Sequence, residues 1–150
     1  MTTQQNNRQQ TWAEQLREAG LRVTRQRLLV LEALRQSGGH RSAEAVGVRL
    51  TDGGASLSRG TVYKVLDDLV SAGIVMLADR GPGTALYEIA DVWHHHFVCR
   101  TCGVVIDVPC QIGSKPCLEG DLAGADIDEA QVIFRGRCPK CVTDGMASRP

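Results

Sequence analysis

Residues Trp93 to Cys102 read WHHHFVCRTC, and two kinds of metal ligand converge within that span. Three of the four histidines stand directly before a Cys-x-x-Cys pair. In an extended strand side chains alternate between faces. His94 and His96 therefore share one face, while His95, Phe97 and Cys99 share the other, so one strand could serve two metal sites. The pair Cys99 and Cys102 has a counterpart in Cys138 and Cys141, with 35 residues between the pairs. Two such knuckles can close a tetrahedral four-sulfur zinc site. Two disulfides or four free thiols fit less well, because the polar, Gln-rich start MTTQQNNRQQ has no apolar export segment. In a reducing compartment paired Cys-x-x-Cys motifs mean metal more often than disulfide. The expectation is a cytoplasmic protein with no membrane partner.

Working outward, the chain carries 17 basic and 17 acidic residues, which argues against a general polyanion binder. The balance hides a local asymmetry. Residues 20 to 64 hold Arg22, Arg25, Arg27, Arg35, Arg41, Arg49, Arg59 and Lys64 against Glu32, Glu44 and Asp52, an excess sufficient for one basic face. Upstream of the histidines the punctuation is helical. Trp12 to Ala19 stops at Gly20; Thr24 caps a second helix ending at Ser37-Gly38-Gly39; Ser42 caps a third reaching about Leu50, before a turn at Thr51 to Gly54. Ser58 caps a fourth, with Val62, Val65, Leu66, Leu69 and Val70 at the spacing of one apolar face and Gly73 as terminator. Ile74 to Ala78 and Ala85 to Ile89 read as two strands joined across Arg80-Gly81-Pro82-Gly83.

Helices followed by a two-stranded hairpin give the order of a winged helix, in which the last helix enters the DNA major groove. Candidate DNA contacts are Arg59, Thr61, Tyr63 and Lys64 on that helix, with Arg22 and Arg25 from the basic excess; the plainer reading is the wet face of an amphipathic helix. Beyond Trp93 the pattern turns β-rich: His94 to Cys99, Val104 to Val108 and Ala130 to Arg135, with a short helix or loop around Leu118 to Ala125. So small a sheet has little core, and a zinc clamp and a partner subunit are the usual remedies. The fold class is α+β: a disordered arm at 1–10, a winged-helix DNA-binding domain at 11–90, a hinge at 91–93, a small α/β dimerisation and metal-binding domain with structural zinc at 94–142, and a flexible tail at 143–150.

With these pieces in order, the sequence resembles the ferric-uptake-regulator (Fur) superfamily of metal-dependent bacterial repressors. The carriers are RVTRQRLLVLEAL (Arg22 to Leu34), HRSAEAV (His40 to Val46), SRGTVYKVLDDLVSAGIV (Ser58 to Val75), LYEIA (Leu86 to Ala90), HHHFVCRTCGVVIDV (His94 to Val108) and GRCPKC (Gly136 to Cys141). Within the superfamily the likeness is greatest to the actinobacterial FurA/CatR type, close to peroxide-sensing PerR regulators that repress catalase genes. The resemblance implies a homodimer with one structural Zn2+ per subunit. It also implies one regulatory Fe2+ or Mn2+ held by His40, Glu88, His94, His96 and Asp107. Nitrogen and oxygen ligands without a thiolate suit those ions better than zinc.

Holo dimer would bind an AT-rich palindromic operator and repress, with release on loss of metal or on oxidation of a ligating histidine by peroxide. The alternative is an iron- or manganese-responsive repressor of metal uptake. Glu88 departs from the aspartate usual in PerR-type sites. Ala130 stands where several iron-uptake members carry a histidine for an additional site. His95 is read as an ordinary strand histidine. Cys110 and Cys117 are read as small buried groups or idle thiols, or else as a regulatory disulfide. A zinc hydrolase or deaminase would need an open ligand position and a general acid or base, and no His-x-Glu motif is present. A bare zinc-ribbon module would leave His40, Glu88 and the helical half without purpose.

Overall fold

A computed structural model describes residues 11–79, 85–118, 120 and 122–147, and the chain forms two compact units that divide between Asp91 and Val92. In the first, α1 (Trp12–Glu18), α2 (Arg25–Ser37), α3 (Ala43–Asp52) and α4 (Arg59–Ser71) precede the antiparallel strands β1 (Val75–Asp79) and β2 (Ala85–Ile89). The helix starts are set by side chains. Thr11, Thr24, Ser42 and Ser58 each accept a backbone N–H from the first turn, and Thr11 forms a reciprocal capping box with Glu14.

Helix α4 ends in a Schellman motif: Gly73 adopts φ +72°, its N–H donates to the Val70 carbonyl, and the Ile74 N–H donates to the Leu69 carbonyl. The turn sends the chain directly into β1. Leu31, Leu34, Val46, Leu66, Leu69, Val75 and Tyr87 come from three helices and both strands to make one core. The expected turn at Arg80 to Gly83 lies outside the described residues, as do the arm at 1–10 and the last residues of the tail, 148–150.

In the second unit β3 (His94–Cys99) is central, with β4 (Val105–Pro109) antiparallel on one side and β5 (Ile133–Gly136) parallel on the other. The short helix α5 (Pro139–Thr143) follows, with Pro139 in its first turn, where a missing N–H costs nothing. Strand β5 begins later than the sequence pattern predicts. Polar partners outside a ladder take up the backbone before it: Ala130 O accepts from Cys117 Sγ and Val132 N–H donates to His95 Nδ1. Around Leu118 to Ala125 the described residues make a turn, with the Ala125 N–H donating to Leu122 O, and no helix. Residues 144–147, expected in the flexible tail, are tied back by hydrogen bonds from Met146 N–H to Cys141 O and from Thr101 Oγ1 to Ala147 O.

Leu66 is fully buried where α4 meets the rest of the first unit's core. Leu66→Ala should destabilise that unit by about 2–5 kcal/mol, the usual cost of a buried Leu→Ala cavity. Chemical denaturation followed by circular dichroism checks this; a loss under about 1 kcal/mol would mean the helices repack around the gap.

Candidate metal centres and nucleic-acid interface

The four-cysteine cluster is built by two knuckles. Strand β3 delivers Cys99, and a tight turn closed by Gly103 N–H on Cys99 O brings back Cys102. Cys138 caps α5 and Cys141 sits within it. One Sγ from each of the four lies within 4.8 Å of the others, and Cys102 Sγ is 3.8 Å from Cys138 Sγ. Tetrahedral geometry with Zn–S bonds near 2.3 Å puts neighbouring sulfurs about 3.8 Å apart, so four sulfurs gathered this closely could hold a zinc ion.

The electrostatics favour a thiolate at the centre. Cys99 Sγ accepts the backbone N–H groups of Cys102 at 3.5 Å and Cys138 at 3.3 Å. Those donors hold its thiol down at about 5, while burial pushes Cys141 up to about 12. Gathered sulfurs of which one is ready to ionise and another resists it are the state a divalent cation relieves.

The mixed nitrogen and oxygen set is found as two groups, one in each unit. In the first, Arg41 forms a bridge with Tyr87 through Arg41 N–H to Tyr87 O at 2.9 Å and Tyr87 N–H to Arg41 O at 2.7 Å. Antiparallel register then sets His40 opposite Glu88, and His40 Nε2 lies 3.2 Å from Glu88 Oε2 with both side chains largely buried. Tyr87 faces the core, so the alternation of β2 turns Glu88 away from it.

In the second unit His94 and His96 share a face as expected, with their Nε2 atoms 3.1 Å apart. Asp107 is the ladder partner of His96 and its Oδ1 lies 3.4 Å from His94 Nε2. The His94 Nδ1–H donates to Val92 O at 2.7 Å, which leaves the Nε2 lone pair for a metal ion. Gln131 Nε2 lies 3.3 Å from His96 Nδ1 and donates an amide N–H to it, which fixes the orientation of that ring.

Of the expected DNA contacts, Arg22, Arg25, Arg59 and Lys64 are exposed, and Thr61 and Tyr63 are half-buried. Arg59 and Tyr63 are both engaged by Glu44 of α3. Its Oε1 accepts from Tyr63 Oη at 2.7 Å and pairs with Arg59 Nη2 at 3.0 Å. The Tyr63 hydroxyl is the main reason that the Glu44 carboxyl is held below its usual range. Thr61 is committed to the cap, its hydroxyl 2.8 Å from Ser58 Oγ. An exposed pair such as Arg59–Glu44 is weak in water, so a phosphate or a base can displace it.

Sequence reasoning missed a third cluster, His95, Cys110 and Cys117, which offer ligand atoms within 4.8 Å of one another. A signal was present: pairing His94 with Pro109 in a β3–β4 hairpin places Cys110 beside the start of β3.

The profile of the Ferric uptake regulator family matches residues 18–115. Transcriptional regulator FurA of Mycobacterium tuberculosis H37Rv is 43% identical over 143 residues, covering 93% of this chain and 96% of that protein. Ferric uptake regulation protein 1 of Mycolicibacterium fortuitum is 45% identical over 127 residues, covering 79% and 74%. The ferric uptake regulator of Pseudomonas aeruginosa, solved with manganese, superposes with a TM-score of 0.69 at 29% identity, covering 87% of this chain and 99% of that one. No helix among the described residues is long and apolar enough to cross a membrane. An N-terminal helical unit with a β-hairpin and a His40–Glu88 pair, and a small α/β unit with metal-capable clusters, accord with that match: the chain belongs to the ferric uptake regulator family of metal-responsive transcriptional regulators.

Proposed function

We propose that this protein is a dimeric, metal-dependent repressor whose DNA binding requires a regulatory Fe2+ or Mn2+ and ends on exposure to peroxide, with catalase or other oxidative-stress genes as its targets. The observation that carries the metal requirement is the ligand chemistry of the two half sets. His40 with Glu88, and His94, His96 with Asp107, offer imidazole and carboxylate without thiolate, the donor set of ferrous iron and manganese. Each half is held in register by its own unit, by the Arg41–Tyr87 bridge in one and the β3–β4 ladder in the other.

A single ion taken by both halves would fix the angle between DNA-binding and dimerisation units, and so the spacing of two α4 helices on an AT-rich palindromic operator. The ion thereby selects the DNA-competent shape by binding it more tightly than the others. Arg59, Tyr63 and Lys64 of α4, with Arg22 and Arg25, would meet the DNA. The second reading, a repressor of metal uptake responding to iron or manganese, uses the same ligands and is favoured by relatives named ferric uptake regulation proteins.

Operator binding by the zinc-loaded protein, reconstituted with Fe2+ or with Mn2+, separates the two. The expected result is that peroxide abolishes binding of the iron form alone and adds oxygen to a histidine in the His40 or His94–His96 peptides. If both forms survive peroxide, the uptake reading replaces ours. His40→Ala and Asp107→Ala should each lose metal-dependent binding, and full retention by either would sink the ligand assignment.

The tetrad is proposed to hold one structural Zn2+ per subunit, cross-linking the end of β3 to the start of α5. Cys138→Ser is expected to lose zinc, measured by elemental analysis, together with several degrees of thermal stability. Unchanged zinc content would remove this assignment.

Dimerisation has support on the sheet. Ile106, Phe97 and Phe134 are registered across β4, β3 and β5 on one face, and Ile106 and Phe134 are 40% and 47% exposed. We place the partner's sheet there, because an apolar row of this kind marks an interaction surface. Phe134→Asp should shift the protein toward monomer in light scattering, while a dimer of unchanged affinity would put the contact elsewhere.

A further inference from the structure

The geometry points to Cys110 and Cys117 as a dithiol site for hydroperoxides, with Cys110 the attacked sulfur, Cys117 the resolving one and His95 a positioning residue. Cys117 is 7% exposed and its sulfur has three polar partners. Trp93 Nε1–H donates to it at 3.3 Å, His95 Nε2 lies 3.3 Å away, and its own S–H reaches Ala130 O at 3.5 Å. The direction of the histidine contact is fixed from the far side of the ring. Val132 N–H donates to His95 Nδ1 at 3.3 Å, so the neutral imidazole carries its proton on Nε2 and presents N–H to sulfur.

That tautomer has two consequences. The Nε2 lone pair is not available to a metal ion, which argues against reading the cluster as a third cation site. Two N–H donors also converge on a buried sulfur, the arrangement that sustains a thiolate once its proton leaves. Cys110 is more accessible. It follows β4 directly, half-buried, with Gly113 N–H donating to its Sγ at 3.4 Å. That donor is the main cause that draws its thiol below the ordinary range. An accessible sulfur with ionising donors, beside a buried second one, is the layout of a reactive thiol with its resolving partner.

The reaction balances without any metal. The Cys110 thiolate attacks the peroxide O–O bond, forming Cys110 sulfenic acid and releasing the other oxygen as alcohol or water after protonation. Cys117 sulfur then attacks the sulfenic sulfur; the S–O bond breaks, the hydroxide leaves as water with the Cys117 proton, and the S–S bond forms. One hydroperoxide is reduced by two electrons and two thiols are oxidised to one disulfide. Neither the regulatory metal nor DNA takes part, so this proposal and the proposed repressor function fail independently.

The test is hydrogen peroxide added to the full-length, zinc-loaded, iron-free protein, followed by peptide mass spectrometry and elemental analysis. The expected product is an intramolecular Cys110–Cys117 cross-link formed while zinc stays bound. Cys117→Ser should accumulate a sulfenic acid on Cys110 that dimedone traps, and Cys110→Ser should give neither cross-link nor adduct. His95→Gln should slow cross-linking with little change in the initial trapping of Cys110 in a Cys117→Ser background, a split that a merely structural role would not produce. Oxidation of the zinc-site cysteines ahead of Cys110, or additional bound zinc that both Cys110→Ser and Cys117→Ser abolish, would overturn the assignment.

Discussion

The second unit depends on one sulfur. Cys99 is 1% exposed and lies where the strand, the knuckle turn and the start of α5 meet, and its Sγ takes backbone N–H groups from Cys102 and Cys138. A sheet of three short strands buries too little apolar surface to fix itself. The cysteine cluster, with Phe97 packed against it, supplies what the sheet lacks. It also sets the phase of β3. Counting back from Cys99, Phe97 and His95 fall on its side, while Val98, His96 and His94 fall on the other. Three consecutive histidines carry no register of their own, and a slip by one residue would exchange the proposed ligand pair for His95.

The first unit is organised by different physics. Four capped helices and a hairpin enclose a continuous apolar core, and among the described residues no metal-capable group takes part in it. Its candidate functional side chains sit on the outside of that frame. Arg59 and Tyr63 converge on Glu44, which offsets the Arg59 charge on the α4 surface. A net charge of zero for the chain and a basic excess confined to residues 20–64 are compatible.

Much of this was legible in the residues. Side-chain caps at Thr24, Ser42 and Ser58 and glycine terminators such as Gly73 act locally, so sequence shows them directly, and helix bounds follow closely. The four cysteines announce themselves by spacing, and the His94/His96 pairing follows from strand alternation. What stayed hidden depends on contacts distant in sequence. Strand β5 starts at Ile133 and not Ala130 because Cys117 and His95 take up the preceding backbone groups. His95 reads as an ordinary strand histidine until Trp93, Val132 and Cys117 are seen around it. Glu44 carries no motif, and only packing of α3 against α4 reveals its hold on the candidate DNA-reading face.

The Arg41–Tyr87 bridge ties the segment between α2 and α3 to the second strand of the hairpin by two backbone hydrogen bonds, one residue away from His40 and Glu88. Neither side chain can be drawn outward without loading that pair of bonds. Tyr87 in turn is embedded among the helices, so a pull applied at either proposed ligand is passed through the bridge to the core in which Tyr87 packs.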